Sequence, residues 1–257
     1  MRKKKSLGQH FLIDMSVAED TANAVSLEPP FGNQVVELGP GTGVLTQYLV
    51  ERAGIDLLLI ELDDRMPELL VRKFPSLENK ILHQDFMKVS IENLPFDKFS
   101  LVGNFPYNIS SQILFITIEN RDRIHQMVGM FQKEVAKRIC APHGSKTYGI
   151  LSVLAQAFFK TEYLFDVPAH SFAPPPKVVS GVIRLERRYD YDDRVDYKKL
   201  RRVVKTAFSQ RRKKLSNALK EVPINWEALP ADLPSLRPDN ISLESYILLS
   251  NNILVES

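Results

Sequence analysis

Between residues 34 and 187 the chain alternates short, unbroken apolar runs with stretches whose apolar residues recur at helical spacing. The runs at 34–39 (QVVELG), 56–62 (DLLLIEL), 80–86 (KILHQDF), 100–104 (SLVGN) and 126–132 (QMVGMFQ) predict five strands. VLTQYLVERAG, a segment ending near Phe74, SSQILFITIEN and KEVAKRICA predict helices beside them. Serines are expected to cap the SSQILFITIEN helix, and Pro67 falls in a first turn, where proline is tolerated. Strands without polar alternation, separated by helices, predict an α/β fold with a mostly parallel, doubly wound sheet covered on both faces. The pattern then changes. YGILSVLAQAFF predicts a helix, while KTEYLFDV and KVVSGVIRLER predict two late strands forming an antiparallel edge hairpin. Beyond about Asp190 the chain is charged and helical, and prolines at 223, 230, 234 and 238 cut it into short pieces. The expected organisation is an α/β domain over 1–189 and a small all-helical domain over 190–257.

Composition narrows the class. At 257 residues, 44% of them hydrophobic, the chain can bury a substantial core. No apolar run reaches about 18 residues, so no transmembrane helix is expected. The opening MRKKKSLGQHFLID is basic but lacks the apolar segment of a secretory signal. The single cysteine, Cys140, excludes an internal disulfide and fits a reducing compartment. The five histidines lack paired metal-ligand spacing. A cytoplasmic, metal-free monomer is the expectation.

The formal charge of +3 hides an asymmetry. Residues 187–214 hold twelve Lys or Arg against four Asp, a local +8 that leaves −5 for the rest. Within this stretch Leu200, Val203, Val204, Ala207 and Phe208 have helical spacing, so one face would pack while the others carry charge suited to phosphates. Arg211, Arg212, Lys213 and Lys214 are the densest run and the first candidates for RNA contact. On charge alone, heparin-like or membrane-surface binding also stays open.

In an open doubly wound sheet, ligands bind beyond the carboxyl ends of the strands. The first strand leads into ELGPGTG, where Gly39 and Gly41 permit a tight turn and close approach of a ligand to backbone amides. Val44 stands where a dinucleotide fingerprint wants its last glycine, which disfavours a pyrophosphate clamp. The second strand ends in Glu61, 22 residues beyond Gly39, where a carboxylate can accept from both ribose hydroxyls of a nucleoside. The third ends in Asp85, which can accept from an adenine amino group. Singly, each has a plainer reading as a turn or cap residue, and for Asp85 alone that reading is the better one. Together they outline a pocket for an adenosine-bearing cofactor.

The fourth strand runs into NFPY, Asn104 to Tyr107. An exocyclic base nitrogen is a poor nucleophile because its lone pair is delocalised into the ring. The Asn104 side-chain oxygen and a backbone carbonyl exposed by Pro106 can accept its two N–H groups and free the lone pair for attack on a sulfonium methyl. Tyr107 can stack on the ring, a contact of roughly 1–3 kcal/mol. This chemistry leaves adenine, cytosine, guanine and glutamine amines open as targets.

NFPY resembles the (N/D/S)-P-P-(Y/F/W) motif of amino methyltransferases. With KKKSLGQHFLID, VVELGPGTGVLT, ELD, HQDFMKV, MFQKEVAKRI and FAPPPKVVSGVIRL in order over residues 3–185, the chain is similar to the family of ribosomal RNA adenine dimethyltransferases. The basic helical segment that follows is similar too. The resemblance implies a Rossmann-like class I methyltransferase fold and S-adenosyl-L-methionine as methyl donor. It implies dimethylation of N6 of two adjacent adenines in the 3′-terminal hairpin loop of 16S rRNA, in the immature 30S subunit. His10 and Leu12, by resemblance, join Gly39, Glu61, Asp85 and Asn104 around the donor, with Gln9 and Phe11 in the same lining. Phe172 would stack on the target base opposite Tyr107, and Lys177, in the rigid APPPK loop, would meet a phosphate. Phe105 departs from the leucine common at its position, and His10 from asparagine. A resistance-type methyltransferase of large-subunit rRNA shares these catalytic motifs, and a non-catalytic assembly or transcription factor on the same fold is a further alternative. The KSLGQHFLID opening and PPPKVVSGVIRL favour the small-subunit enzyme.

Overall fold

The computed structural model describes residues 10–254. Two compact units form, one through Ala136 together with Glu162–Arg187, the other Lys137–Thr161 with the chain from Arg188 onward. The stretch 137–161, assigned to the first domain from sequence, therefore packs with the helical unit.

In chain order the elements are β1 (Phe11–Leu12), α1 (Met15–Asn23), β2 (Gln34–Leu38), α2 (Val44–Glu51), β3 (Asp56–Glu61), α3 (Met66–Lys73), β4 (Ile81–His83), β5 (Phe99–Asn104), α4 (Ser110–Glu119), β6 (Ile124–Gln132), α5 (Lys133–Ile139), α6 (Ile150–Gln156), β7 (Phe159–Val167), β8 (Phe172–Ala173) and β9 (Ser180–Arg187). Seven strands form one sheet in the order β4-β3-β2-β5-β6-β9-β7. The pairs β2–β3, β3–β4, β2–β5 and β5–β6 are parallel, and β6–β9 is antiparallel. This is the predicted doubly wound sheet with an antiparallel edge. Its strand order reverses between β2 and β5, so their carboxyl ends flank the crevice where such sheets hold ligands. Val35, Val36, Leu59, Ile60, Leu101 and Val102 are fully or almost fully buried, as strands covered on both faces require.

Two predicted details change. The α4 serines do not cap it: Ile109 is the N-cap, and Ser110 Oγ instead donates to the Tyr107 carbonyl at 3.1 Å. The strand expected over 80–86 ends at His83, so Asp85 sits in the following turn. Sequence periodicity also missed β1, α1 and β8. Asp14 caps α1 by accepting from Ser16 N and Val17 N, and its second oxygen accepts from Ser171 Oγ at 2.9 Å. β1 and β8 pair antiparallel, with Leu12 opposite Phe172.

The second unit contains α7 (Tyr197–Ser209), α8 (Leu215–Ala218) and α9 (Leu243–Asn251). Asp196 caps α7, whose Leu200, Val203, Val204 and Ala207 are fully buried as the spacing predicts. The 137–161 stretch belongs here because its groups are satisfied here. Gln156 Nε2 donates to the Ile139 and Ala141 carbonyls, and the Tyr148 ring packs edge-on to Phe208 at 6.1 Å. No helix among the described residues is long and apolar enough to cross a membrane.

Candidate functional site

A cavity of about 250 Å³ opens at the carboxyl ends of β2, β3 and β5. His10, Phe11, Leu12, Gly39, Gly41, Glu61, Asp85, Asn104, Pro106 and Tyr107 all line it, so most of the predicted site converges on one place. Gln9 lies outside the described residues.

The glycine loop supplies the floor. Gly39 and Gly41 have φ of +67° and +56°, a left-handed conformation that side chains resist. A Cβ on Gly41 would also press on the Phe11 ring at 3.2 Å. Glu61 is buried at 6% exposure, and its carboxylate accepts from Gly41 N at 3.0 Å and from Asp63 N at 2.7 Å. One amide on each oxygen leaves lone pairs on both for a further donor. Burial raises its pKa above the ordinary value against the pull of those amides. Asp85 caps its turn by accepting from Met87 N at 3.0 Å through one oxygen. The exposed apolar side chains of Leu62 and Met87, each near one of these acids in sequence, also line the cavity.

NFPY forms the opposite wall. Asn104 Nδ2 donates to the His10 carbonyl at 2.9 Å, which orients the amide and commits its nitrogen end. The Pro106 carbonyl accepts from Ile109 N at 3.1 Å. The Phe105 carbonyl accepts no hydrogen bond among the described residues, so it, rather than that of Pro106, is the open backbone acceptor. The Phe105 ring is buried against Gly103 and Gly129, which face each other across β5 and β6, and meets Phe131 edge-on at 5.4 Å. The extra bulk at this position is thus absorbed beneath the loop. Tyr107 stacks on the His10 ring at 5.7 Å, and its hydroxyl lies 2.6 Å from Ser180 Oγ. His10 Nδ1 is 2.8 Å from the Pro174 carbonyl, so one residue ties NFPY to the proline loop.

Other expected residues lie elsewhere. Phe172 is 2% exposed and belongs to the apolar core with Leu12, Met130 and Val182, not to the cavity wall. Strand alternation explains it: pairing with β1 turns Phe172 inward and Ala173 outward. Lys177 is exposed in the loop before β9 and lines no part of the cavity. Arg211, Arg212, Lys213 and Lys214 follow the end of α7 at Ser209, in a turn rather than on the helix. Arg211 is spent internally, with Nε and Nη2 each 3.2 Å from Asp239 and Nη2 donating to the Lys146 carbonyl at 2.8 Å. Arg212, Lys213 and Lys214 are exposed.

Sequence reasoning did not single out Glu37 as a site residue. It lines the cavity at 1% exposure, with Oε2 lacking any hydrogen-bond partner. Burial pushes its carboxyl up to about 8, and the charge of neighbouring Glu61 adds to the shift. Its signal was present as the acid two residues before the glycine loop. Among the described residues no group of three or more metal-capable side chains occurs.

Known proteins share this arrangement of the chain. A family model described as ribosomal RNA adenine dimethylase matches residues 1–230. "Ribosomal RNA small subunit methyltransferase A" of Flavobacterium johnsoniae is 48% identical over 254 residues, covering 98% of this chain and 96% of that protein. The protein of the same description from Bacteroides thetaiotaomicron is 48% identical over 258 residues, covering 98% and 94%. Among solved structures, a dimethyladenosine transferase from Plasmodium falciparum superposes with a TM-score of 0.77 at 25% identity, covering 93% of this chain and 96% of that one. The 23S rRNA methyltransferase ErmE shares the fold, with a TM-score of 0.74 at 24% identity over 95% and 99%.

Proposed function

The chain belongs to the ribosomal RNA adenine dimethylase family, and from that premise we propose that it dimethylates N6 of two adjacent adenines in the 3′-terminal hairpin loop of 16S rRNA, within the immature 30S subunit. The donor is S-adenosylmethionine, which supplies an electrophilic methyl on its sulfonium. The residues fit that group. Glu61 keeps lone pairs for two ribose hydroxyls, Gly41 leaves room a side chain would fill, and Asp85 keeps one carboxylate oxygen beyond its cap. Leu62 and Met87 would offer apolar side chains to the donor's ring. His10, Phe11 and Leu12 close the side of the pocket.

The target adenine enters against NFPY. Its N6–H groups donate to Asn104 Oδ1 and to the Phe105 carbonyl, which draws the nitrogen toward tetrahedral geometry and frees its lone pair. Tyr107 holds the ring by stacking. The proton left on the alkylated nitrogen is acidic and departs to water, so no strong general base is needed. A dimethylated nitrogen has no N–H left, and transfer stops at two. Loop adenines are unpaired or easily splayed, which lowers the cost of presenting the base. Lys177, Arg212, Lys213 and Lys214 contact phosphate.

The observation that carries this mechanism is the bond from Asn104 Nδ2 to the His10 carbonyl, because it turns the amide oxygen into the free end. The test is methyl transfer from labelled donor to purified small subunits lacking the modification, with the product base mapped. Two adjacent dimethyladenosines near the 3′ end of 16S rRNA are expected. Label appearing only in large-subunit rRNA would overturn the assignment.

A further inference from the structure

Beyond the predicted run at 211–214, the solvent side of α7 holds a second, more organised cluster of cations. Lys198, Arg201, Arg202 and Lys205 stand at i, i+3, i+4 and i+7, on the side of the helix away from its buried Leu200, Val203 and Val204. Their side chains, with Tyr197, wall a shallow groove of about 240 Å³. None of the four cations makes an ion pair among the described residues. The nearby acids are engaged otherwise: Asp196 caps α7, and Asp190 pairs with Arg188. Arg201 Nε is withdrawn from solvent and has no hydrogen-bond partner. A buried donor left unpaired is costly, and an anion in the groove would satisfy it.

We propose that this groove is a clamp for the phosphate backbone of ribosomal RNA, with Arg201 as its anchor, adding affinity without choosing the base that is methylated. The partner chemistry rests on the function proposed above. From Lys198 to Lys205 the helix rises seven residues at about 1.5 Å each, so the four cations span about 10 Å, enough to meet consecutive phosphates of one strand. Arg201 and Arg202 can each grip phosphate with a planar fork, while the two lysines add point charge. A surface of this kind works through counterion release, so its contribution must fade with salt.

The test compares the full chain with the Lys198→Gln/Arg201→Gln/Arg202→Gln/Lys205→Gln variant and with Arg201→Lys alone. Binding to unmodified small subunits is measured from about 0.05 to 0.3 M salt, with S-adenosylmethionine binding and thermal melting as controls for folding. The fourfold variant is expected to bind about 100-fold more weakly at low salt, with a log–log salt slope shallower by about 3. Its KM for small subunits should rise, and its donor affinity should match the parent. Arg201→Lys keeps the charge but not the fork, and should lose about threefold to tenfold. Unchanged affinity and slope would overturn the clamp, as would a loss independent of salt. Stronger binding of the parent to phosphatidylserine vesicles than to RNA would overturn it too. A salt-dependent loss in a protein that transfers no methyl to small subunits would sustain the clamp and instead sink the proposed reaction.

Discussion

Asn104 and His10, 94 residues apart in sequence, are joined by a 2.9 Å hydrogen bond from the Asn104 amide nitrogen to the His10 carbonyl. The bond makes the two ends of one amide do different jobs. Nitrogen anchors the side chain to the N-terminal segment, and oxygen is left for the substrate. Asn104→Ala should therefore lower methyl transfer at least 10²–10³-fold, the usual cost of removing one positioned polar group. Donor and RNA binding should change much less. Asn104→Asp keeps an acceptor toward the base but sets a carboxylate oxygen against the His10 carbonyl. It should also be strongly impaired, and a fully active Asp variant would show that the anchor is dispensable. Single-turnover transfer with donor binding measured in parallel separates these outcomes.

Tyr107 and Ser180 form the second constraint on the same wall, with their hydroxyls 2.6 Å apart and Ser180 fully buried. Burial raises the pKa of Tyr107 above its ordinary value, with the Ser180 hydroxyl opposing, so the phenol is a neutral positioning group at physiological pH. Tyr107→Phe keeps the stacking ring and should retain activity within about tenfold, since a neutral hydrogen bond contributes about 1 kcal/mol. Tyr107→Ala should lose the stacking contact as well, and be much worse. Because the two hydroxyls share one bond, which can be lost only once, Tyr107→Phe/Ser180→Ala should be more stable than the sum of the single changes predicts, and a thermal-melt cycle should show this coupling. Strict additivity would mean that the pair does not act together.

Phe105 explains the glycine at 129 on β6: a methyl group there would collide with its ring. At the facing Gly103 a methyl group would meet the Leu38 carbonyl first, at 2.5 Å, and the Phe105 ring only second. Gly129→Ala should destabilise the protein by about 1–3 kcal/mol and displace the acceptor loop, lowering transfer as well. Phe105→Leu in that background trims the obstructing ring and should restore part of both losses. Denaturant unfolding and transfer rates on the two singles and the double variant check it. No rescue would mean that the damage lies in the sheet rather than under the loop.

How much of the fold and site the sequence makes legible follows from the range of each interaction. The parallel strands were visible because burial on both faces writes an unbroken apolar run, as in DLLLIE of β3. Glu61 and Asn104 were visible because strand ends are where such sheets hold ligands. β1 and β8 were not visible, since two-residue strands leave no period and their pairing joins residues about 160 positions apart. That pairing is also what buries Phe172, so a role inferred from resemblance met a local alternation that only the partner strand determines. Arg211 failed for a similar reason: its partner, Asp239, is remote in sequence. Glu37 was in plain view, but an acid near a glycine loop acquires its chemistry only once burial is known.

Glu37 makes the stability of the fold depend on pH. Burial holds its carboxyl at about 8 in the fold, against 4.5 for an unperturbed glutamate. Between those values the native state keeps a proton that the unfolded chain has released. Stability must then fall as pH rises through this window, because the unfolded state binds fewer protons. Below the lower value both states are protonated, and above the higher one both are ionised, so the effect is flat at each end. Glu37→Gln removes the titration while keeping a neutral group of similar shape. The variant should gain on the parent steadily from about pH 5 to about pH 8, by a few kcal/mol at the upper end, where the folded parent must still hold a proton that the unfolded chain has released. Glu61 also titrates high and interacts with Glu37, so the difference reports Glu37 together with its coupling to Glu61. Urea unfolding at about pH 5, 6, 7 and 8 measures it. Parallel curves would mean that Glu37 is ionised in the folded protein, with a counter-charge close enough to hold it so.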